Sequence, residues 1–444
     1  MLDLAKIWMS LTCWLFCLPL LLIRGSMSSQ FHTVALILFF IFVGLLCLRL
    51  KKQSAVIVGV LLVIGYTITE GLPTWQDLKD SSEFVLIFAC LIPTLALVRA
   101  TAMTMSSVID TQNKLASLAP YSSSAGIQLT SHVLGGFINV GTFALVAVAL
   151  PRGASLERRQ TATLATLRGM NSAILWSPFF LSFAVASFYL PEGFAIGAIS
   201  LGLVNAVIFY LITQAITSPK HDRVSVSQSV SPLNPIAARL FLIILAVVFT
   251  STVTGLTALS AVCATMPALC AFQFLRKPHK IKQIWRNFST LQRNSGDEVV
   301  IISVSMLIAS LLGQTDQFTI ILASFFGLNP DIKLVLFSIP VLVWAGSVIG
   351  IHPIISSAPL LAFFAPNLTV YDAAFVAQAH MIGWSTGTMI SFASLSTIIA
   401  AENFRINPAQ ISFGKNFFIA AGLAIGGGLI LIFVHELVIN IFGP

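Results

Sequence analysis

Charge is what this sequence has least of. Only 9% of its 444 residues are Asp, Glu, Lys or Arg, against about 25% in an average soluble domain. So few charges cannot cover a surface that faces water. Hydrophobic residues make up 57%, and mean hydropathy is +0.94. Together these imply an all-α polytopic membrane protein, because helices satisfy their backbone polar groups within one segment. Acids are scarcer than bases, 16 against 24, leaving a net charge of +8. The Lys and Arg gather in a few loops, which is a topology signal in membrane proteins, so no nucleic-acid partner is expected. Also missing are a Gly-rich phosphate loop of the Walker kind, His-Glu-x-x-His, Cys-x-x-Cys and paired acids in a cleft-like context. Their absence argues against an ATP-driven pump on this chain and against an enzyme, and no cofactor is expected. The six cysteines all fall in apolar segments without metal-ligand spacing, so they read as packing residues.

What is present is a series of apolar runs. A span needs roughly 20 apolar residues. Spans are predicted near 7–24, 33–50, 54–72, 83–104, 158–190, 192–217, 236–253, 255–275, 297–326, 370–402 and 412–441. Residues 7–23 resemble a signal-peptide core but lack an obvious cleavage site, so they read as a retained first span. Residues 1–53 form N-terminal peripheral spans, and the hydrophilic stretch 218–235 reads as a cytoplasmic linker. Residues 280–292 place Ile281, Ile284, Trp285, Phe288 and Leu291 on one helical stripe beside Lys280, Lys282 and Arg286, an interfacial helix on the membrane surface.

Two stretches break the apolar pattern. The first is Ser131-His-Val-Leu-Gly-Gly-Phe-Ile-Asn-Val-Gly-Thr142, followed by Arg168-Gly-Met-Asn-Ser172. The second is Gly346-Ser-Val-Ile-Gly-Ile-His-Pro-Ile-Ile-Ser-Ser357, followed by Gly383-Trp-Ser-Thr-Gly-Thr388. Irregular backbone at membrane depth survives only where protein encloses it or where it lines a cavity. We therefore expect re-entrant hairpins at 123–151 and 335–366, and helices broken mid-membrane at 158–190 and 370–402. With both hairpins returning to their own side, about eleven spans remain. The basic clusters then share one face, which puts the N-terminus in the cytoplasm and the C-terminus outside. Shifting residues 83–200 by 214 positions lays them on 297–414 without a gap, matching Gly136 to Gly350, Thr142 to Ser356, Gly169 to Gly383 and Asn171 to Ser385. The odd number of spans between the copies makes the repeat inverted. Repeat 1 covers 54–217 and repeat 2 covers 236–441, and corresponding breaks in two halves point to a transporter's binding site.

The substrate-binding candidates sit at these breaks: Asn139, Thr142, Arg168, Asn171 and Ser172 in the first copy, His352, Ser356, Ser357, Ser385 and Thr386 in the second. Cation-binding candidates are the backbone around Gly136, Gly141, Gly169, Gly350 and Gly383, with the Thr388 hydroxyl. Broken helices offer carbonyl ends to cations and N–H ends to anions, so Na+ at the same breaks is expected. The competing reading makes the small residues close helix-packing contacts. Arg168 either holds a carboxylate in a bidentate way or snorkels to the interface. His352 either binds or couples protons, or is a structural histidine. His380 has a weaker claim. Asp316, Asp372 and Glu402 read as solvated span ends.

This layout resembles the ion transporter superfamily, and within it the divalent anion/sodium symporters, over roughly residues 50–441. Members of that family have eleven spans, a cytoplasmic N-terminus and Ser-Asn-Thr at both hairpin tips. This chain has Ile138-Asn139-Val140-Gly141-Thr142 and His352-Pro353-Ile354-Ile355-Ser356-Ser357 there. The resemblance implies a scaffold that dimerises and a transport domain that moves like an elevator. The expected function is a secondary active transporter of a small organic anion, driven by Na+ or H+ in a bacterial inner membrane. Its expected partners are the solute, membrane lipid and a second copy. The alternatives are an inorganic ion transporter or Na+/H+ antiporter of the same superfamily, and a membrane-embedded protein with no transport role.

Overall fold

The computed structural model describes all residues except 1, 23–28, 69–73, 81, 118–119, 152, 218–227, 229, 257, 295, 314, 393 and 443–444. Arg152 and most of the expected linker, with Lys220 and Arg223, lie outside the described residues. Among the described residues the secondary structure is helical throughout, with no strand. Among the described residues five helices are long and apolar enough to cross a membrane: Gln30–Cys47, Phe194–Thr217, Ala237–Thr254, Leu259–Arg276 and Lys415–Ile441. The protein is an all-α, multi-pass membrane protein.

The chain forms two compact units. The first comprises residues 1–104 and 244–328. It contains α1 (Leu2–Leu22), α2 (Ser29–Cys47), α3 (Lys52–Ile68), α4 (Trp75–Asp80) and α5 (Ser82–Ala102). Most of α12 (Ala237–Thr254) follows, with α13 (Ala258–Arg276), α14 (Ile281–Asn294), α15 (Gly296–Gly313) and α16 (Asp316–Phe326). The single span expected over 297–326 is thus two helices, with Asp316 opening the second. α14 is the amphipathic helix expected at 280–292. It packs on α5 through Ala96, Ala100, Ile284 and Phe288.

The second unit comprises residues 105–243 and 329–444. Its helices are α6 (Ser106–Ala116), α7 (Pro120–Ile138), α8 (Gly141–Ala149), α9 (Leu156–Ser172), α10 (Leu181–Tyr189) and α11 (Phe194–Thr217) in the first copy of the repeat. The second copy supplies α17 (Ile332–Val348), α18 (Pro353–Phe364), α19 (Val370–Ile390), α20 (Leu395–Phe404), α21 (Pro408–Ser412) and α22 (Lys415–Phe442). Both interrupted regions and both broken helices are therefore in one body. α11 and α22 pack in this unit against α19.

The helix boundaries follow local chemistry. Ser155 caps α9 by accepting from the Arg158 N–H. Thr369 caps α19 by accepting from the Asp372 N–H, and its own hydroxyl donates back to that carboxylate at 2.7 Å, a reciprocal cap. Ser394 caps α20, and His352 caps α18 with Pro353 in the first turn. The breaks after α7 and after α17 contain Asn139 (φ 54°) and Gly350 (φ 88°), left-handed backbone that Asn and Gly tolerate best. The 214-residue repeat appears in the boundaries themselves. α9 and α19 start 214 residues apart, as do α10 and α20, and α5 and α15.

Candidate functional site

α19 is the centre of the second unit, with every residue from Ala373 to Ile390 buried. Polar side chains on so enclosed a helix must find partners or serve a ligand. Ser385 donates to the backbone carbonyl of Asn171 at 2.8 Å. These two residues are repeat mates, so the contact joins a position to its own counterpart where the two copies meet. Thr388 donates to Asn171 Oδ1 at 2.7 Å, and Ser396 approaches it at 3.5 Å. Four side chains from α9, α19 and α20 therefore converge at the two breaks. Among them are the expected residues Asn171, Ser385 and Thr388. Thr386 turns back instead onto its own helix, donating to the Ile382 carbonyl at 2.7 Å.

The glycines divide into two roles. Gly169 and Gly383 are closest-approach positions. A Cβ on Gly169 would lie 2.1 Å from the Gln128 carbonyl oxygen, and one on Gly383 2.8 Å from Val343 Cβ. They let α7 reach α9 and α17 reach α19. Gly136 faces the Trp176 ring, where a Cβ would sit at 2.9 Å, and its carbonyl accepts from Ser177 Oγ at 2.5 Å. A Cβ on Gly141 would meet the Ile138 side chain at 2.7 Å. Gly350 alone has the positive φ that a turn demands. At the end of the first broken helix, the Leu175 carbonyl is already taken. Gln378 Nε2 donates to it at 2.6 Å and to Ala198 O at 2.7 Å. Gln378 was not among the expected residues, although an amide mid-span was a visible signal.

His132 was likewise overlooked. Trp176 Nε1 donates to its Nε2 at 3.1 Å, and its Nδ1 lies 2.9 Å from Ser172 Oγ. An indole N–H can only donate, so Nε2 is the acceptor and Nδ1 carries the proton. Ser172 then donates its own hydroxyl hydrogen bond to the Gly169 carbonyl at 2.8 Å. His352 and His380 flank Trp384, with ring centroids 5.6 and 5.4 Å away. His352 Nδ1 is occupied as the cap of α18, at 3.3 Å from the Ile354 N–H. His380 Nε2 meets the Ser182 carbonyl at 3.0 Å, while its Nδ1 is buried without a partner.

Several buried hydroxyls near the breaks have no partner: Ser131, Thr142, Ser182, Ser357 and Ser391. Thr142 and Ser357 were expected site residues. Ser356 returns to the Pro353 carbonyl at 3.2 Å, and Asn139 supplies the turn.

Arg168 is the thirteenth residue of α9, about 18 Å along its axis, and only 5% exposed. Its Nε donates to Asn416 Oδ1 at 2.9 Å, and Asn416 Nδ2 donates to the Met389 carbonyl at 3.2 Å. No other acceptor among the described residues answers its guanidinium. Arg168 lines a cavity of about 470 Å³ together with Lys415, Ser124, Thr161, Thr217 and apolar residues such as Leu164 and Phe418. The cavity is lined by an exposed cation, Lys415, and a buried one, and no acid lines it among the described residues.

No protein-family model matches the chain, and no curated protein matches it. Among solved structures, it is similar to the crystal structure of the Alcanivorax borkumensis YdaH transporter, described as having an unusual topology. Identity is 14%, the match covers 88% of this chain and 97% of that one, and the TM-score is 0.41.

Proposed function

We propose that this protein is a secondary active transporter of a small organic anion of the carboxylate type, coupled to Na+ or H+. The observation that carries this reading is Arg168. A cation sequestered at membrane depth costs several kcal/mol unless something compensates it. Here a single amide meets one of its nitrogens, and the rest of the guanidinium borders a cavity with a second cation and three hydroxyls. A carboxylate fits that fork in a bidentate way, and the two positive charges would concentrate anions in the cavity.

The coupling cation has a separate set of ligands available. Unpartnered hydroxyl oxygens at Thr142, Ser182, Ser357 and Ser391 suit Na+, a hard cation that takes oxygen ligands. His132 suits a proton less well, because the Trp176 N–H already occupies the nitrogen that would be protonated. Around this site the reading places eleven spans, with the turns at Asn139 and Gly350 as tips of re-entrant hairpins entering from opposite faces. The protein would work as a homodimer in a bacterial inner membrane, with its N-terminus in the cytoplasm and its C-terminus in the periplasm. The inverted repeat supplies the two alternating states of an elevator.

The test begins with a thermal-shift screen of organic carboxylates with and without Na+, since a binder stabilises the folded state by mass action. Uptake of the best binder is then measured in proteoliposomes. Losing a charge-assisted fork costs about 1.5–3 kcal/mol, so Arg168→Gln is expected to weaken apparent affinity by roughly ten- to a hundredfold. Arg168→Lys should fall in between, because it keeps charge without the fork. Wild-type uptake by Arg168→Gln, or a screen in which no carboxylate stabilises the protein, would overturn the proposal.

A further inference from the structure

The first unit carries a feature that transport of a soluble anion does not use. Residues 276–293 hold Arg276, Lys277, Lys280, Lys282, Arg286 and Arg293 and no acid. α14 occupies most of this stretch. Its inner face buries Ile284 and Phe288, whereas Ile281 and Trp285, one turn apart, remain 45% and 48% exposed. Beneath them lies a cavity of about 390 Å³ lined by apolar side chains of α1, α5, α13 and α14, including Trp14, Leu97, Pro267 and Phe274. Trp14 is the one lining residue of the inner wall with a polar hydrogen, and its Nε1 is spent on Thr94 Oγ1 at 3.2 Å. That inner wall therefore offers a ligand no hydrogen bond and suits a hydrocarbon.

The rim has the opposite character. Lys282 and Arg286 are four residues apart and so share one helix face, next to the Ile281–Trp285 row that lines the cavity. Both are exposed, and neither side chain has a hydrogen-bond or ion-pair partner among the described residues. Lys280 is committed elsewhere, donating to the Thr104 carbonyl. Two free cations thus stand beside the opening of a dry apolar cavity, on a helix whose Trp285 suits the membrane interface.

We propose that this is a binding site for an anionic phospholipid, with one acyl chain in the cavity between α1, α5, α13 and α14 and the phosphate on Lys282 and Arg286. The apolar volume supplies affinity for any lipid chain, and the cation pair supplies preference for an anionic headgroup. The site is independent of the anion cavity at Arg168, which lies in the other unit.

The test uses the full-length protein, reconstituted with equal amounts of phosphatidylglycerol and phosphatidylcholine, extracted in mild detergent and analysed by native mass spectrometry. The wild type is expected to retain phosphatidylglycerol over phosphatidylcholine by roughly tenfold. Lys282→Gln with Arg286→Gln should remove that preference while keeping a bound lipid. Ala271→Trp places bulk at an exposed residue of the cavity wall and should reduce retention of both lipids. Equal retention of the two lipids by the wild type would overturn the proposal. So would an Ala271→Trp variant that folds and keeps as much phosphatidylglycerol as the wild type, or occupation of this face by a protein partner instead of lipid.

Discussion

The two copies of the repeat interrupt their helices at similar, not identical, positions and close the breaks differently. In the first, Ser177 hydrogen-bonds the Gly136 carbonyl at 2.5 Å and ties the broken helix to the preceding turn. Its mate Ser391 is as deeply buried, stands at the same 41-residue separation from Gly350, and has no side-chain partner. In the first, Gln378 covers the free carbonyl of Leu175 and Trp176 pins His132. In the second, Trp384 stands between two histidines without bonding either, and His380 Nδ1 is unanswered. Side chains thus close the contacts at Gly136 and Leu175, whereas Ser391 and His380 Nδ1 are unspent, and each copy keeps further buried hydroxyls without partners, at Ser131, Thr142 and Ser182 and at Ser357. Buried groups without partners mark the places where an ion or ligand would complete the structure. The cation proposed to hold the anion, Arg168, sits on the first copy.

The mates Gly169 and Gly383 give the largest expected effect. An alanine Cβ at 169 would sit 2.1 Å from a backbone oxygen, against 2.8 Å from a side-chain carbon at 383. Overpacking costs 1–3 kcal/mol or more when neither side can yield, and the α7 backbone yields less than Val343. Gly169→Ala should give almost no monodisperse protein by fluorescence-detected gel filtration. Gly383→Ala should fold with a lowered melting midpoint. Equal yields would mean that the two helix crossings are equivalent after all.

Asn171→Ala comes next. It removes the acceptor approached by Ser396, the donor to the Leu167 carbonyl and one acceptor of Thr388, which keeps the Trp384 carbonyl at 2.8 Å, so a loss of about 1–2 kcal/mol is expected. Ser385→Ala removes one bond and should cost about 1 kcal/mol. Thermal unfolding of both, compared with the double variant, reads their coupling directly. Strict additivity would break the claim that the copies meet through this pair.

Trp176→Phe should cost about 1 kcal/mol through the lost bond to His132. Nitrogen-15 NMR of the imidazole checks the arrangement at its source. The wild type should show Nδ1 protonated and Nε2 bare, and finding the opposite tautomer would remove the pinning of the first break.

Much of this was legible in the chain because helix breaking is local. Gly-x-x-Asn-Val-Gly and His-Pro interrupt apolar runs wherever they occur, and a 214-residue offset needs no coordinates to be seen. Arg168 stood out because charge is scarce. The partners were not legible. Arg168 meets Asn416 across 248 residues, and Gln378 meets Leu175 across 203, separations that carry no periodic signature. The glycines misled for a related reason. Gly169 at a helix crossing and Gly350 at a turn are the same letter, and only the neighbouring backbone tells a missing Cβ from a positive φ. The break within 297–326 was missed because the hydropathy stays apolar on both sides of Asp316.

The smallest effect is the most discriminating. Ser177→Ala loses a made hydrogen bond and should lower stability by about 1 kcal/mol with little change in transport. Ser391→Ala loses none. Removing an unpaired buried hydroxyl relieves its desolvation penalty, so stability should hold or rise slightly. If that hydroxyl completes a cation shell, the same change should weaken Na+-dependent stabilisation and uptake. The two mates would then respond in opposite senses, one in stability and the other in coupling. Should both variants merely lower the melting midpoint by the same amount, Ser391 has a partner within the fold, and the open character of the second break is lost.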